Sequence, residues 1–193
     1  SSNRSIKMKC FSVHNIDNQS QIQEELLNQI KETRPSIFTE DITHKVVTVS
    51  VNSTASTAIL KNFEDKLSES FGPLLNKTFW ITGPKGTNRP HIDGTSQFLP
   101  KIKLMIPVLN CQGTYTSWFN YSGGREHIKT DTGLEYFVPK DYDRLNSIAT
   151  TTLTDAMWAR VDIFHSVFNP RNSTRIICSY VFENQDKLIE LLA

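Results

Sequence analysis

Ile102-Lys103-Leu104-Met105-Ile106-Pro107-Val108-Leu109 is the stretch on which the fold turns. It is short, bounded by turn signals and apolar on both faces, which predicts a central strand covered on each side. Similar β-type runs surround it at Phe79 to Thr82, Thr114 to Tyr121, Glu135 to Val138, Met157 to Phe164 and Arg175 to Phe182. Breaks fall at Gly83-Pro84, Gly94, Ser122-Gly123-Gly124 and Asn169-Pro170. Strands at such intervals predict a sandwich or barrel rather than a parallel α/β sheet.

Upstream the texture is mixed. Ile22, Leu26, Leu27 and Ile30 recur at helical spacing after a polar start at Asp17 to Ser20 suited to capping. Val47, Val49 and Val51 alternate with polar residues as a half-buried strand does. A second helix carries Ile59, Leu60, Phe63, Leu67 and Phe71 on one face and stops at Gly72-Pro73. Both helices are expected to pack outside one sheet. We therefore expect one domain over 1–193, with 1–76 a helical and mixed support and 77–183 a β core.

At 193 residues and 22.0 kDa the chain can bury a core without metal or disulfide staples. A hydrophobic fraction of 38% with 21% charged residues is that of a globular protein, not a disordered one. The formal net charge of +1 removes the usual electrostatic case for nucleic acid or an anionic membrane. Cys10, Cys111 and Cys178 are widely spaced, which fits reduced thiols and a cytoplasmic location. Asn-x-Ser/Thr triplets such as Asn52-Ser53-Thr54 and Asn76-Lys77-Thr78 are ascribed to chance in a chain rich in these residues. No apolar run is long enough to cross a bilayer, and Ser1 to Lys9 is polar, unlike a signal peptide. The missing initiator Met is what a trimmed N-terminus gives.

The chemistry concentrates in Arg89-Pro90-His91-Ile92-Asp93-Gly94. On an extended backbone residues i and i+2 point the same way, so His91 and Asp93 can aim an imidazole and a carboxylate at one point. His165, placed at the end of the apolar run that includes Val161, Ile163 and Phe164, is the candidate third ligand. Two His and one carboxylate on one side of an octahedral ion leave three positions open, as in non-haem iron(II) oxygenases. Zinc, the alternative for such ligands, usually takes a tetrahedral site with one open position. His14, His44 and His127 have no partners at ligand spacing and are assigned to the surface.

His91-Ile92-Asp93, then His165 and, ten residues later, Arg175, resembles the H-x-D … H-x10-R/K signature of the iron(II)/2-oxoglutarate-dependent dioxygenases, in a prolyl-hydroxylase-like pattern. The 71 residues between Asp93 and His165 suit that family, and the likeness spans roughly Phe79 to Phe182. The resemblance implies a double-stranded β-helix with flanking helices (jelly-roll or cupin-like). It implies Fe(II) held by His91, Asp93 and His165, with 2-oxoglutarate as cosubstrate and O2 consumed. Arg175 would grip the far carboxylate through two parallel charge-assisted hydrogen bonds. Arg171, in the Pro170-Arg171-Asn172 turn, is the second choice and should face solvent or substrate.

The implied activity is hydroxylation of an amino acid, peptide side chain or other small molecule. The alternatives are oxidation of a nucleobase and a catalytically silent β-helix used for binding. Cys111 to Phe119 could line a substrate pocket or simply pack as a strand. The turn Tyr121 to Arg125 and the stretch His127 to Thr132 could form a lid or a plain hairpin loop. Substrate identity, substrate-binding residues and oligomeric state are not legible.

Overall fold

The computed structural model describes residues 9–51, 56–131 and 133–192, so Asn52-Ser53-Thr54, Thr132 and all but the last residue of Ser1 to Lys9 lie outside the described residues. Along the chain come β1 (Phe11–Val13), α1 (Gln19–Thr33), β2 (Val46–Ser50), α2 (Ala58–Phe71), β3 (Leu74–Thr82), β4 (Thr87–Asp93) and β5 (Ile102–Leu109). Then follow β6 (Tyr115–Asn120), β7 (Arg125–Lys129), β8 (Glu135–Pro139), β9 (Asn146–Thr151), β10 (Met157–Arg160), β11 (His165–Phe168), β12 (Arg175–Phe182) and α3 (Gln185–Ile189).

The strands form two six-stranded sheets, β1-β10-β5-β12-β3-β2 and β7-β8-β4-β11-β6-β9, in which every pairing is antiparallel. Successive strands from β3 to β6 alternate between the sheets, and so do those from β9 to β12. That winding is the double-stranded β-helix. β5 sits inside the first sheet between β10 and β12, as its two apolar faces predict.

Strand pleating splits the first sheet's residues between two cores. Phe79, Ile81, Ile102, Leu104, Ile106, Ile176, Tyr180 and Phe182 face outward and pack beneath the helices with Leu26, Ile30 and Leu60. Each such fully buried side chain stabilises the fold by about 1.5–3 kcal/mol. Alternate residues face into the β-helix, where Met105 and Ile177 pack with Trp118 and Met157. Lys103 and Arg175 share this inward parity, so the pleat carries two cations into the interior.

The helices follow their sequence pattern with two departures. α1 begins at Gln19, but Asn18 takes a left-handed φ of 58° and makes no side-chain cap bond. In α2 the hydroxyl of Thr57 accepts from the Leu60 backbone N–H, and the helix stops where Gly72 adopts φ 79°. Ile59, expected on its buried face, is 43% exposed, while Leu60 and Leu67 are buried.

The main correction concerns Met157 to Phe164, which reads as one strand. β10 ends at Arg160, and Val161 to Phe164 carry the chain to the other sheet, where His165 opens β11 instead of closing a strand. The corner is held by backbone bonds: Val161 N–H donates to Lys101, and Asp93 N–H donates to Val161. Arg160 also grips Asp162 through Nε and Nη2 at 2.6 and 2.7 Å. The corner residues Val161 and Phe164 are buried, which is why the apolar run continues through it.

Candidate metal centre

β4 and β11 lie side by side with His91 opposite His165, so register alone brings the two imidazoles to one face. Asp93, two residues along β4, joins them. Ligand atoms of His91, Asp93 and His165 all lie within 4.8 Å of one another, and all three residues are buried. His91 Nε2 is 3.1 Å from Asp93 Oδ1, and His165 Nε2 is 3.8 Å from Asp93 Oδ2. The next residue, Gly94, has φ 134°, and a Cβ there would stand 2.6 Å from the Leu99 side chain, so the turn after Asp93 requires glycine.

Both rings are oriented by the same local device. His91 Nδ1–H donates to the Arg89 carbonyl at 2.7 Å, and His165 Nδ1–H donates to the Ile163 carbonyl at 3.0 Å. A carbonyl only accepts, so each ring carries a proton on Nδ1 and turns its Nε2 towards Asp93. Asn88 Nδ2 lies 3.3 Å from His91 Nε2. Backbone tethers of this kind orient imidazoles for metals.

Burial, then the charge of His91, pushes the His165 pKa down to about 4. Burial pushes the Asp93 carboxyl up, but Lys103, His165 and His91 together outweigh it and hold it well below the ordinary carboxylate range. His165 is thus a neutral imidazole beside a carboxylate, the protonation a cation needs. Lys103 Nζ stands 2.7 Å from Asp93 Oδ2 and 5.2 Å from the centre of the Trp80 ring. The sequence reading missed this residue. Its signal was available, since a lysine in a strand covered on both faces must have a buried partner.

Arg175 opens β12 and is 1% exposed. Its Nε and Nη2 have no hydrogen-bond partner among the described residues. Burial lowers its pKa. One internal pocket connects it to the cluster: Arg175, Lys103, Met105, Thr82, Ile177 and Val167 line it together with His91, Asp93 and His165. An outer cleft of about 700 Å³ meets that pocket at Val46, Trp80, Asn88, His91 and Asp93 but does not reach Arg175. The guanidinium therefore stands at the closed end and the cluster at the mouth. Asn169, fully buried, locks the turn between β11 and β12 by donating to the carbonyls of Thr82, Gly83 and Ser173.

Arg171 is exposed and points elsewhere, donating to the Gln112 carbonyl at 2.9 Å. Cys111 and Trp118 pack in the inner core, so the stretch from Cys111 behaves as a packed strand and turn and lines neither the pocket nor the cleft. β7 pairs with β8 as a hairpin, and Thr130, Leu134, Glu135 and Tyr136 form one wall of the outer cleft. His44 and His127 are exposed, while His14 is half-buried with its ring edge-on to Trp158.

No protein-family model matches the sequence, and no curated protein matches it. Solved structures do. The non-haem alpha-ketoglutarate-dependent carbocyclase SnoK from nogalamycin biosynthesis superimposes with TM-score 0.55 at 11% identity, over 93% of this chain and 82% of that one. The alpha-ketoglutarate-dependent epimerase SnoN from the same biosynthesis gives 0.54 at 11%, over 92% and 78%. EvdMO1 gives 0.53 at 12%, over 92% of this chain and 48% of its own. The likeness is one of fold. Among the described residues no helix is long and apolar enough to cross a membrane.

Proposed function

We propose that this chain is a non-haem Fe(II)/2-oxoglutarate-dependent dioxygenase that hydroxylates an amino acid, a peptide side chain or another small molecule. In this reading His91, Asp93 and His165 hold the metal and Arg175 holds the cosubstrate. The observation that carries it is the pairing of opposites in one pocket: a buried cluster of three metal-type ligands at the mouth, and a buried guanidinium without a partner at the closed end. A buried, unpaired cation is costly, and a carboxylate brought against it would relieve that cost through two parallel bonds. A dicarboxylate matches in charge a pocket lined by metal-type ligands and by a guanidinium. SnoK and SnoN, which share the fold, are named as alpha-ketoglutarate-dependent enzymes.

The chain's own part is to bind, orient and exclude water. The backbone tethers at Arg89 and Ile163 keep both imidazole Nε2 atoms aimed inward. Met105, Val167 and Ile177 keep the inner pocket apolar around its charged ends. Iron, 2-oxoglutarate and O2 together supply the oxidation, one oxygen atom going to succinate and the other to the substrate carbon, with carbon dioxide released. The substrate would enter the outer cleft, whose wall on the β7–β8 hairpin combines Tyr136 with Glu135.

We assign the chemistry to 77–183 and support to 1–76, within one domain, and a cytoplasmic location from three buried, unpaired thiols. Nucleobase oxidation is disfavoured because, among the described residues, Arg34 is the only lysine or arginine lining the cleft, too few to grip a phosphate backbone.

Anaerobic Fe(II) titration followed by a substrate panel scored by succinate release tests this reading. Asp93→Ala and His165→Ala should abolish turnover and sharply weaken iron binding, while His127→Ala leaves iron affinity unchanged. Wild-type iron affinity in His91→Ala would sink the assignment.

A further inference from the structure

Lys103 has no role in the function proposed above, yet it is the best-placed cation in the pocket. It is 7% exposed, lies inside the β-helix on β5, and pairs with the carboxylate that would hold the metal. We propose that Lys103 is an exchange partner: it holds Asp93 while the pocket is metal-free and transfers its ammonium to the metal-end carboxylate of the cosubstrate once the metal is bound. This rests on the metal-site reading of His91, Asp93 and His165 and on the dicarboxylate reading of Arg175.

The pocket is lined by two basic side chains, Lys103 and Arg175, against one carboxylate, Asp93. A divalent cation entering this pocket competes with the ammonium for Asp93 and is repelled by it. A dicarboxylate entering afterwards brings two negative charges and meets two cations at different depths, one at each end. Arg175 can serve only the far end, because the outer cleft and the metal cluster lie at the other. Lys103 lies at the cluster, beside Trp80, whose ring face stabilises the ammonium without competing for its hydrogen bonds. A lysine suits such an exchange better than arginine, since its ammonium is a compact point charge on a flexible stem with three rotatable donors.

The proposal makes opposite predictions for two ligands. Removing the charge leaves Asp93 buried and unpaired in the metal-free protein, a state that metal binding relieves, so metal affinity should rise. It also removes a charge-assisted hydrogen bond from the cosubstrate, so dicarboxylate affinity should fall. A partner that merely orients a ligand behaves differently, since its loss weakens metal binding.

The test uses Mn(II), which needs no oxygen-free turnover, on the whole chain. Free Mn(II) is counted by its paramagnetic resonance signal, and 2-oxoglutarate is then titrated calorimetrically into Mn(II)-saturated protein. Lys103→Met should bind Mn(II) on the order of tenfold more tightly and 2-oxoglutarate about ten- to a hundredfold more weakly. Lys103→Arg should return both values towards wild type. Lys103→Gln carries the same two signs at smaller size and serves if the methionine variant does not fold. Unchanged or weaker Mn(II) binding, or unchanged 2-oxoglutarate binding, overturns the exchange role. Asp93→Ala separates the two layers. If wild type binds Mn(II) and Asp93→Ala does not, the metal reading stands and Lys103 is judged alone. If the two bind alike, the metal reading fails and takes this inference with it.

Discussion

Lys77 and Arg175 are both buried cations on neighbouring strands of one sheet, and they are treated in opposite ways. Lys77, on β3, lies in a closed network: its Nζ is 2.6 Å from Glu64 Oε1, which also accepts from the Tyr180 hydroxyl at 3.1 Å. The network ties α2 to the sheet and leaves no charge unanswered. Arg175, on β12, has a pocket in front of it and two guanidinium nitrogens without partners. Folding alone explains the first cation. Nothing among the described residues pairs with the Nε and Nη2 of the second, and it is this unmet cost of a buried charge, several kcal/mol, that motivates the ligand proposed for it.

The largest effects should separate these two sites on stability. Glu64→Ala strands Lys77 in the core and should destabilise the protein by about 3–5 kcal/mol in chemical denaturation. Arg175→Met, which removes a charge that nothing pairs, should cost under about 1 kcal/mol or stabilise the ligand-free protein. Equal losses at both positions would mean that Arg175 is a structural cation after all.

Acid probes the candidate metal cluster. The His165 pKa, pushed down to about 4 by burial and by His91, lies below the ordinary value of 6.5. Asp93, His91 and Lys103 are the ionisable groups facing it. Between these two values the unfolded chain binds the proton and the folded one does not. This contribution to stability is therefore complete above pH 6.5 and is lost as pH falls towards 4, on the order of 3 kcal/mol in all. Denaturation midpoints of metal-free wild type should fall across that window, and His165→Gln should flatten the fall. An equally steep profile in His165→Gln would contradict the assignment.

Smaller effects bound the comparison. Thr57→Ala removes the cap on α2 and should lower stability by about 1 kcal/mol without touching 2-oxoglutarate binding. Arg171→Ala should leave cosubstrate affinity unchanged, since that side chain sits on the Gln112 carbonyl away from the pocket.

These contrasts also explain what could be read from sequence. That His91, Asp93 and His165 meet, with Arg175 lining the same pocket, follows from two-residue spacing on a strand and a recurring order of residue types, which survive without tertiary information. β5 and β12 were legible because continuous apolar runs mark covered strands. β7 and β9 were not, since their residues are mostly exposed and show no apolar alternation. The corner after Arg160 was invisible because Val161 and Phe164 stay buried while the chain changes sheets. Lys103 was overlooked inside an apolar run, although a charge in such a run is itself the informative residue.

The central claim is that Arg175 is held unpaired for a dicarboxylate. Its most direct test is titration of 2-oxoglutarate into anaerobic Fe(II)-loaded protein, followed through the metal-to-ligand charge-transfer band, for wild type and Arg175→Ala. Losing the charge-assisted bonds, each about 1.5–3 kcal/mol, should raise the dissociation constant about ten- to over a hundredfold. Iron affinity should stay as it was, and Arg175→Lys should recover part of the loss. Wild-type 2-oxoglutarate affinity in Arg175→Ala would contradict the account.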